Sequence, residues 1–285
     1  MGITIEIVRL GTVATDHTFM VANRTPGTQQ SIPVNAFLIR GALDGPILVD
    51  TGWKDHQPLL NLGFTVDRPP NEELSAALEA HGTSIGEIEL VISTHLHLDH
   101  SGGVEQFPMS TPVMVNRREL EFAASGLQWP AYDQRDVQQF IERIYQPGAL
   151  RFLDLEGTGP VEVAPGVFCE SAGGHTPGML AIDVVTDEGV ARICGDVFYD
   201  PFAQIVEPPF TLAVGEPGLT GFFVVGQREE RIAMKRALNG TRFLLPSHDR
   251  PWVLQTSKIV GSVEGSIVPG PIQPLESPLT ATAAS

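Results

Sequence analysis

The stretch from Thr94 to Gly103 brings together three imidazoles and one carboxylate within six positions: His95, His97, Asp99 and His100. It follows a mostly apolar run, residues 88–93, which is typical of a buried strand. Side chains alternate between the two faces of an extended chain, so His95, His97 and Asp99 are predicted to share one side. His100 falls where the chain turns and can face the same cavity from another angle.

Histidine and carboxylate ligands without thiolates suit zinc, and also manganese, iron or cobalt. Four ligands packed this tightly do not fit comfortably around one ion. The sequence therefore predicts two adjacent ions, with His95 and His97 on one and Asp99 and His100 on the other. The alternative is a loop of plain surface histidines, which the density of the cluster and the preceding strand disfavour.

The segment His95–His100 resembles the HxHxDH signature of the metallo-β-lactamase superfamily. The resemblance implies an α/β fold, a four-layer αββα sandwich, and three further ligands downstream. Each has a candidate after a predicted strand: His175 after 166–171, Asp196 after 189–193 and His248 after 241–245. The resemblance assigns His95, His97 and His175 to one ion, Asp99, His100 and His248 to the other, and Asp196 to a bridge between them.

Further segments resemble the N-acyl homoserine lactone lactonase branch of this superfamily. One signal is Tyr199, three residues after Asp196. The other matches are residues 33–39, 48–52, 118–123 and 174–178. Within 48–52, Asp50 resembles the aspartate that supports the metal-binding loop from behind. The chain departs from this branch at Met179, where a second histidine is usual, and in the long segment 198–223.

The resemblance implies a dinuclear-metal-dependent hydrolase, a lactonase of the quorum-quenching type, with two divalent ions that are zinc in the first instance. A metal-bridging hydroxide would attack the ester carbon and open the lactone ring. Tyr199 is expected to donate a hydrogen bond to the developing oxyanion or the ring oxygen, and Asp99 to pass a proton to the leaving alkoxide. The alternative for Tyr199 is a purely structural tyrosine.

Five apolar side chains are predicted, from loop placement, to wall a pocket for an acyl chain beside the ions: Phe19, Met20, Trp53, Phe198 and Phe202. Phe19 and Met20 fall in a largely polar stretch, 15–31, which is predicted to be a long loop. Apolar residues in such a loop indicate a lid or a subunit contact, and packing into the core is the alternative.

Other activities on the same fold stay open. An aryl-ester or phosphotriester hydrolase is the main alternative to a lactonase. A thioesterase resembling glyoxalase II uses the same ligands but normally adds a helical domain after the last histidine, and only residues 249–285 remain here. A non-catalytic metal-binding module would need closed coordination, whereas seven ligands for two ions leave positions open.

The length and net charge of the chain limit its domain organisation and the kinds of partner it can bind. The 285 residues are 42% hydrophobic and have room for one α/β domain over residues 1–285, with a Pro-, Ser- and Ala-rich tail from about residue 262. That tail is expected to be an arm over a neighbouring subunit or loosely ordered. The net charge of −16, from 34 acidic and 18 basic residues, argues against a nucleic-acid partner.

No apolar run is long enough to predict a membrane span, and the first residues lack the pattern of a secretory signal. A cytoplasmic location, a small-molecule ester or lactone as partner, and a possible homodimer are expected. Cys169 and Cys194 lie in apolar strand-like segments and are predicted to be buried. Helices are predicted over 72–80, 116–125, 133–145 and 228–238, and from about residue 102.

Overall fold

Two β-sheets, packed face to face and covered on their outer sides by helices, form the computed structural model, which describes residues 2–128, 131–209, 215–221 and 225–275. The strands of the first sheet are β1 (Thr4–Asp16), β2 (Gln29–Arg40), β3 (Ile47–Val49), β4 (Thr65–Asp67), β5 (Leu90–Ile92), β6 (Val113–Asn116), β7 (Leu150–Leu153) and β15 (Ile267–Val268). They are ordered β15-β1-β2-β3-β5-β6-β7, and β4 pairs with β1.

The second sheet is built from the later part of the chain. Its strands are β8 (Val161–Ala164), β9 (Val167–Ser171), β10 (Leu180–Thr186), β11 (Gly189–Gly195), β12 (Phe243–Pro246), β13 (Trp252–Gln255), β14 (Lys258–Val263) and β16 (Ile272–Pro274). Their order is β16-β14-β13-β12-β11-β10-β9-β8. The α-helices are α1 (His17–Met20), α2 (Gln57–Asn61), α3 (Leu74–Ala80), α4 (Leu98–Ser101), α5 (Arg117–Ala124), α6 (Gln134–Ile144) and α7 (Gln227–Ala237).

The four layers follow from the alternation of side chains along each strand. On β2, Phe37 and Ile39 point into the core between the sheets, while Ala36 and Leu38 point to the outer core beneath the helices. The outer core of the first sheet includes Leu74, Leu78, Leu120 and Phe140 from α3, α5 and α6. The outer core of the second sheet includes Met234 and Ala237 from α7. The αββα sandwich expected from the resemblance is confirmed.

Parallel pairing brings the chemistry-bearing loops to one edge. Strands β3, β5, β6 and β7 are parallel neighbours, and β11 pairs in parallel with β12. The carboxyl ends of β3, β5, β11 and β12 therefore lead into the loops that carry Asp50, His95, Asp196 and His248. Ligands on open sheets are expected at such carboxyl ends, because the backbone turns there and side chains can converge.

The capped helices are confirmed within a residue or two. Asn116 accepts a hydrogen bond from the backbone N–H of Arg118, and Asp133 accepts one from that of Arg135, so α5 and α6 begin where predicted. The helix predicted from residue 72 begins at Leu74, after a 3₁₀ turn at Pro70–Glu72. The helix predicted from about residue 102 was wrong: α4 occupies Leu98–Ser101, and a 3₁₀ turn follows at Val104–Gln106.

The stretch 15–31, predicted to be a long loop, is instead the end of a β-hairpin. Strand β1 runs on to Asp16 and pairs with β2, with Thr15 opposite Gln30 and Asp16 opposite Gln29. Helix α1 closes the tip, with Asp16 capping the N–H of Thr18.

The tail up to residue 275 is neither an arm nor loosely ordered. Strand β15 pairs with β1, and β16 pairs with β14, so this segment joins both sheets. The rest of the tail, 276–285, lies outside the described residues. Cys169 and Cys194 are buried, as predicted, and both are free thiols. Within the ranges described, no helix is long and apolar enough to cross a membrane.

Candidate metal centre

Seven side chains from four segments of the chain meet at the shared edge of the two sheets. Three sets of three residues have ligand atoms that all lie within 4.8 Å of one another. One set, His95, His100 and Asp196, joins the other two, in which His95, His97 and His175 form the first group and Asp99, His100 and His248 form the second. Asp196 lies between them, with its Oδ2 atom 3.5 Å from His175 Nε2 and 3.2 Å from His248 Nε2. The membership of the two groups is the one expected from the resemblance.

The extended-chain argument holds only for the first part of the cluster. His95 and His97 lie in the loop after β5, but Asp99 and His100 lie in the first turns of α4, so their direction is set by a helix. His97 occupies the N-cap position of that helix. A strand-to-helix transition therefore divides the motif between the first group, before the helix, and the second group, on it.

Hydrogen bonds from behind decide which nitrogen each histidine presents. His100 Nδ1 lies 2.9 Å from Asp50 Oδ2, and His248 Nδ1 lies 2.8 Å from the carbonyl oxygen of Pro33. His95 Nδ1 lies 3.1 Å from the hydroxyl of Thr94, which itself donates to Asp50. Because each Nδ1–H is held by an acceptor, the Nε2 lone pairs of these three imidazoles face the cluster.

Asp50 is the support that the sequence predicted. It is fully buried at the end of β3, with a positive φ of 62°, and its Oδ1 accepts the backbone N–H of Thr94 at 2.7 Å. One carboxylate thus fixes both the start of the ligand loop and the ring of His100.

The donor set fits metal ions. His95 Nε2, His100 Nε2, His175 Nδ1 and one oxygen of Asp196 are buried atoms without a hydrogen-bond partner. His97 Nδ1 and His175 Nε2 lie 2.9 Å apart. Buried polar atoms normally find partners, and a cluster of convergent lone pairs is satisfied by cations. Imidazole and carboxylate are ligands that zinc and related divalent ions accept.

Burial and charge divide the two groups electrostatically. Burial lowers the pKa of His95 and His97, and lowers the pKa of His175 to about 4, so the first group is made of neutral imidazoles. Burial also disfavours charge on His100 and His248, but Asp196 and the other carboxylates outweigh it and raise the pKa of both. Burial acts against ionisation of Asp196, yet His248 and His100 outweigh it and hold the pKa of Asp196 well below its usual value.

Tyr199 stands over the cluster from the second sheet. Its hydroxyl donates to Asp196 Oδ2 at 2.9 Å, and its ring stacks on His248 with centroids 5.2 Å apart. Burial, followed by the charge of Asp196, raises the pKa of Tyr199, so the hydroxyl stays protonated. Gln204, fully buried in the π-helical turn Phe202–Val206, accepts the backbone N–H groups of Tyr199 and Asp200 and so fixes the approach of this residue.

An apolar cavity opens directly onto the cluster. Its polar end is formed by His97, Asp99, Asp196, Tyr199 and His248. The remaining wall is apolar and comes from the hairpin, from the segment around α2 and from α4 and its surroundings: Val13, Phe19, Met20, Ile32, Leu59, Leu62, Phe64, Leu98 and Ala131. A second, more polar groove, which includes Phe202, Arg250 and Trp252, shares Tyr199 and His248 with the first cavity.

The five residues predicted to wall the pocket are placed differently. Phe19 and Met20 line the apolar cavity, and Phe202 lines the polar groove, where it stacks on Trp252. Trp53 and Phe198 line neither of these two cavities. Trp53 packs in the outer core of the first sheet, against Gly11, and Phe198 packs beside Met234 under α7.

Three functional side chains escaped the sequence reasoning. Glu119 and Tyr132 hydrogen-bond to each other behind the first ligand group, and Gln204 holds Tyr199. Glu119 lies on the buried face of α5, where a charged residue is unusual, and it belongs to the segment 118–123 that resembles the lactonase branch. These are the two signals that the sequence offered. The partners of the Gln204 side-chain oxygen are backbone N–H groups, and no local sequence pattern predicts this role.

Comparisons with known proteins agree with this geometry. The family model described as the metallo-beta-lactamase superfamily matches residues 31–248. A curated N-acyl homoserine lactonase from a Bacillus species is 29% identical over 190 residues, which cover 64% of this chain and 70% of that protein.

Solved structures share the fold. A crystal structure of a variant of the Bacillus thuringiensis protein AiiA, with N-decanoyl-L-homoserine bound at its active site, superposes with a TM-score of 0.67 at 23% identity, covering 86% of this chain and 93% of the other. A dizinc quorum-quenching lactonase in complex with a homoserine product superposes with a TM-score of 0.64 at 17% identity, covering 96% and 95%. The chain therefore belongs to the metallo-beta-lactamase superfamily and, within it, resembles the N-acyl homoserine lactonase branch.

Proposed function

We propose that this chain is a dinuclear-metal-dependent hydrolase that opens the ring of N-acyl homoserine lactones or closely similar lactones. The observation that carries the proposal is the apolar cavity that ends on Asp99, Asp196, Tyr199 and His248. An acyl chain lying in this cavity brings its lactone head group to the convergent ligands. The lactonase relatives support the same substrate class.

We propose that His95, His97 and His175 would hold the first ion and that Asp99, His100 and His248 would hold the second. Asp196, which lies between the two groups, would be a further ligand. Zinc is the ion we expect, since the donors are imidazoles and carboxylates and a dizinc lactonase has the same fold. Iron, manganese and cobalt accept the same donors. When bound, two such ions supply the Lewis acidity that activates water and polarises an ester carbonyl.

The protein's own groups orient the substrate and move the proton. The Tyr199 hydroxyl has one hydrogen, which it donates to Asp196 in this structure. Turned toward the substrate, it would donate that hydrogen to the oxygen that gains charge when water adds to the ester carbon. The ring C–O bond then breaks, and the leaving alkoxide needs a proton. Asp99 lines the cavity next to His100, and it is the carboxylate placed to accept a proton from the attacking water and to pass it to that alkoxide. The alcohol so formed stays tethered to the product.

The deciding experiment is a pH-stat screen of the zinc-loaded protein, because every ester hydrolysis releases a carboxylic acid proton. The substrates are homoserine lactones with acyl chains of increasing length, a phenyl ester, a phosphotriester, a thioester and a β-lactam. We expect lactones to give the largest kcat/KM, with KM falling as the chain lengthens. Preferred turnover of the phenyl ester or phosphotriester, with lactones inert, would overturn the proposal in favour of an aryl-ester or phosphotriester hydrolase.

A matched pair of variants ties the screen to the cavity. Phe19→Ala shortens a side chain of the cavity wall, whereas Phe198→Ala shortens one in the core. We expect the first to raise KM for long-chain lactones more than for short ones. The second should lower the free energy of unfolding by about 3–5 kcal/mol and leave the chain-length preference unchanged.

Three further proposals concern the whole protein. We propose that residues 1–285 form a single hydrolase domain, that the protein is cytoplasmic and that it forms a homodimer. Size-exclusion chromatography with light scattering measures the oligomeric state, and a monomeric mass at working concentration would rule out the homodimer.

A further inference from the structure

Glu119 is a carboxylate with no exposure to solvent, and it lies behind the first ligand group on the buried face of α5. It accepts four hydrogen bonds. Its Oε1 accepts from the backbone N–H of Leu96 at 3.0 Å and from the hydroxyl of Tyr132 at 2.8 Å. Its Oε2 accepts from the hydroxyl of Thr176 at 2.7 Å and from the backbone N–H of Gly178 at 3.2 Å.

These four donors belong to different parts of the fold. Leu96 lies between His95 and His97, in the loop that follows the first sheet's β5. Thr176 and Gly178 directly follow His175, in the turn between β9 and β10 of the second sheet. The ring of Tyr132 in turn packs against that of His97 in a T-shaped arrangement, with centroids 4.6 Å apart. Glu119 therefore contacts, through one side chain, the loops that carry all three histidines of the first group.

The contact between Glu119 and the turn at Gly178 leaves no room for a side chain at position 178. A Cβ atom at position 178 would overlap the backbone of Glu119, so only glycine lets the turn come this close. An ionised carboxylate can accept from four donors at once because it has no hydrogen of its own. A glutamine cannot, since its amide nitrogen would face an N–H or O–H donor.

We infer that Glu119 is a positioning residue that holds the two ligand loops of the first ion in register across the two sheets. Two of the segments that resemble the lactonase branch, 118–123 and 174–178, then act together, since the glutamate of the former accepts from the threonine and the glycine of the latter. The inference rests on the proposed ligand set and not on the identity of the substrate.

The test is the binding of zinc, with no substrate involved. Glu119→Gln is compared with Ile182→Ala, which truncates a fully buried residue between the sheets and destabilises the fold without touching the centre. We expect Glu119→Gln to release one of two zinc ions at a chelator concentration about tenfold to a hundredfold lower than the wild type requires. Ring ¹⁵N resonances of His95, His97 and His175 should lose their metal-bound shifts while those of His100 and His248 keep them.

If Glu119→Gln does not fold, two less disruptive variants of Thr176 provide the same test. Thr176→Val removes the hydroxyl at nearly constant volume, and Thr176→Ser keeps it. We expect the valine variant to weaken the first zinc and the serine variant to retain it. Equal zinc loss from Glu119→Gln and Ile182→Ala, at equal loss of unfolding free energy, would overturn the inference. So would an equal zinc affinity of the two Thr176 variants. Neither result would bear on whether lactones are substrates.

Discussion

Single hydrogen bonds set the direction of each functional side chain in this centre. The carboxylate of Asp50 and the carbonyl of Pro33 each hold one ring nitrogen of a histidine, so the other nitrogen faces the cluster. The same holds for Tyr199, whose phenol reaches Asp196 because Gln204 fixes its backbone. Chemistry at this centre therefore depends on groups that do not themselves meet a substrate.

The hydroxyl of Tyr199 gives the first prediction. In Tyr199→Phe the ring keeps its stacking on His248, but the donor is lost. We expect kcat on a lactone to fall about tenfold to a hundredfold, the cost of one hydrogen bond to a developing charge, with KM and zinc content little changed. Steady-state kinetics and metal analysis measure both. Tyr145→Phe, at an exposed position, is the control. A loss of zinc in proportion to activity would mean that Tyr199 acts only as a structural support.

At the scale of single residues, the sequence predicts the site well where the site residues lie close together in the chain. His95, His97, Asp99 and His100 are close in space because they are close in the chain, and Asp50 was placed behind them by resemblance. Glu119 and Gln204 could not be assigned in the same way, because their partners are backbone groups or side chains thirteen or more residues away in the chain. The apolar wall was only partly predicted, since whether Trp53 or Phe198 faces a cavity depends on packing across two layers.

Among the elements, the β1–β2 hairpin determines how the apolar cavity is closed. Its tip bonds to the segment after Tyr199: Arg24 Nη2 donates to the carbonyl oxygens of Ala203 at 3.2 Å and Glu207 at 2.9 Å. Gln30 Nε2 donates to Asp200 Oδ2 at 3.2 Å. Phe19, in the same tip, packs against Phe64 with ring centroids 5.8 Å apart. The sequence missed this arrangement because the hairpin has a polar composition.

Removal of the Arg24 contacts should loosen the cavity wall. We expect Arg24→Met to raise KM for a ten-carbon acyl lactone about fivefold to tenfold, equivalent to about 1 kcal/mol, with a smaller change for a four-carbon chain. The kcat values should stay within about twofold, since Tyr199 keeps its own supports. Arg151→Met, at an exposed arginine on β7, should behave as the wild type. An equal rise in KM for both chain lengths would contradict this role for the hairpin.

Asp136, a buried residue of helix α6, makes the stability of the fold depend on pH. Burial, with a smaller contribution from Asp133, raises the pKa of Asp136 to about 7, against opposing effects of Arg135 and Lys54. The folded state therefore holds a proton that the unfolded chain releases above about pH 4, so the stability of the fold falls as pH rises from about 4 to 7.

Replacement of Asp136 by asparagine should remove this dependence. We expect Asp136→Asn to raise Tm relative to the wild type by about 2–4 °C more at pH 8.5 than at pH 6, which corresponds to about 1 kcal/mol. Thermal unfolding followed by circular dichroism at the two pH values is the measurement. Asp44→Asn, at an exposed loop position, should give the same shift at both. A constant difference between wild type and Asp136→Asn would show that Asp136 does not titrate in this range.

On the scale of the whole molecule, the candidate centre connects the two sheets. His95, His97, Asp99 and His100 come from the first sheet, and His175, Asp196 and His248 come from the second. Ions held by both sets would cross-link the halves in the folded state and not in the unfolded one. This distribution follows from the fold, which could be predicted as a class from the signature, whereas the pairing of the chain's last strands with β1 and β14 could not.

Removal of the metal should therefore destabilise the whole fold. A ligand present at a thousand times its Kd stabilises the native state by about 4 kcal/mol, so chelation should lower Tm by about 10 °C. Calorimetry before and after chelator treatment measures the effect, and added zinc should restore Tm. Calcium, which prefers oxygen ligands, should not restore it. An unchanged Tm after complete removal would show that the cluster is satisfied without ions.

The order of the ligand residues along the chain has a consequence for biosynthesis. The loop with His175 emerges from the ribosome well before the one with His248, which follows β12. On the proposed ligand set, a nascent chain that ends before residue 248 has the donors for the first cation but lacks one for the second. Occupation of both positions then has to wait until residue 248 has been translated.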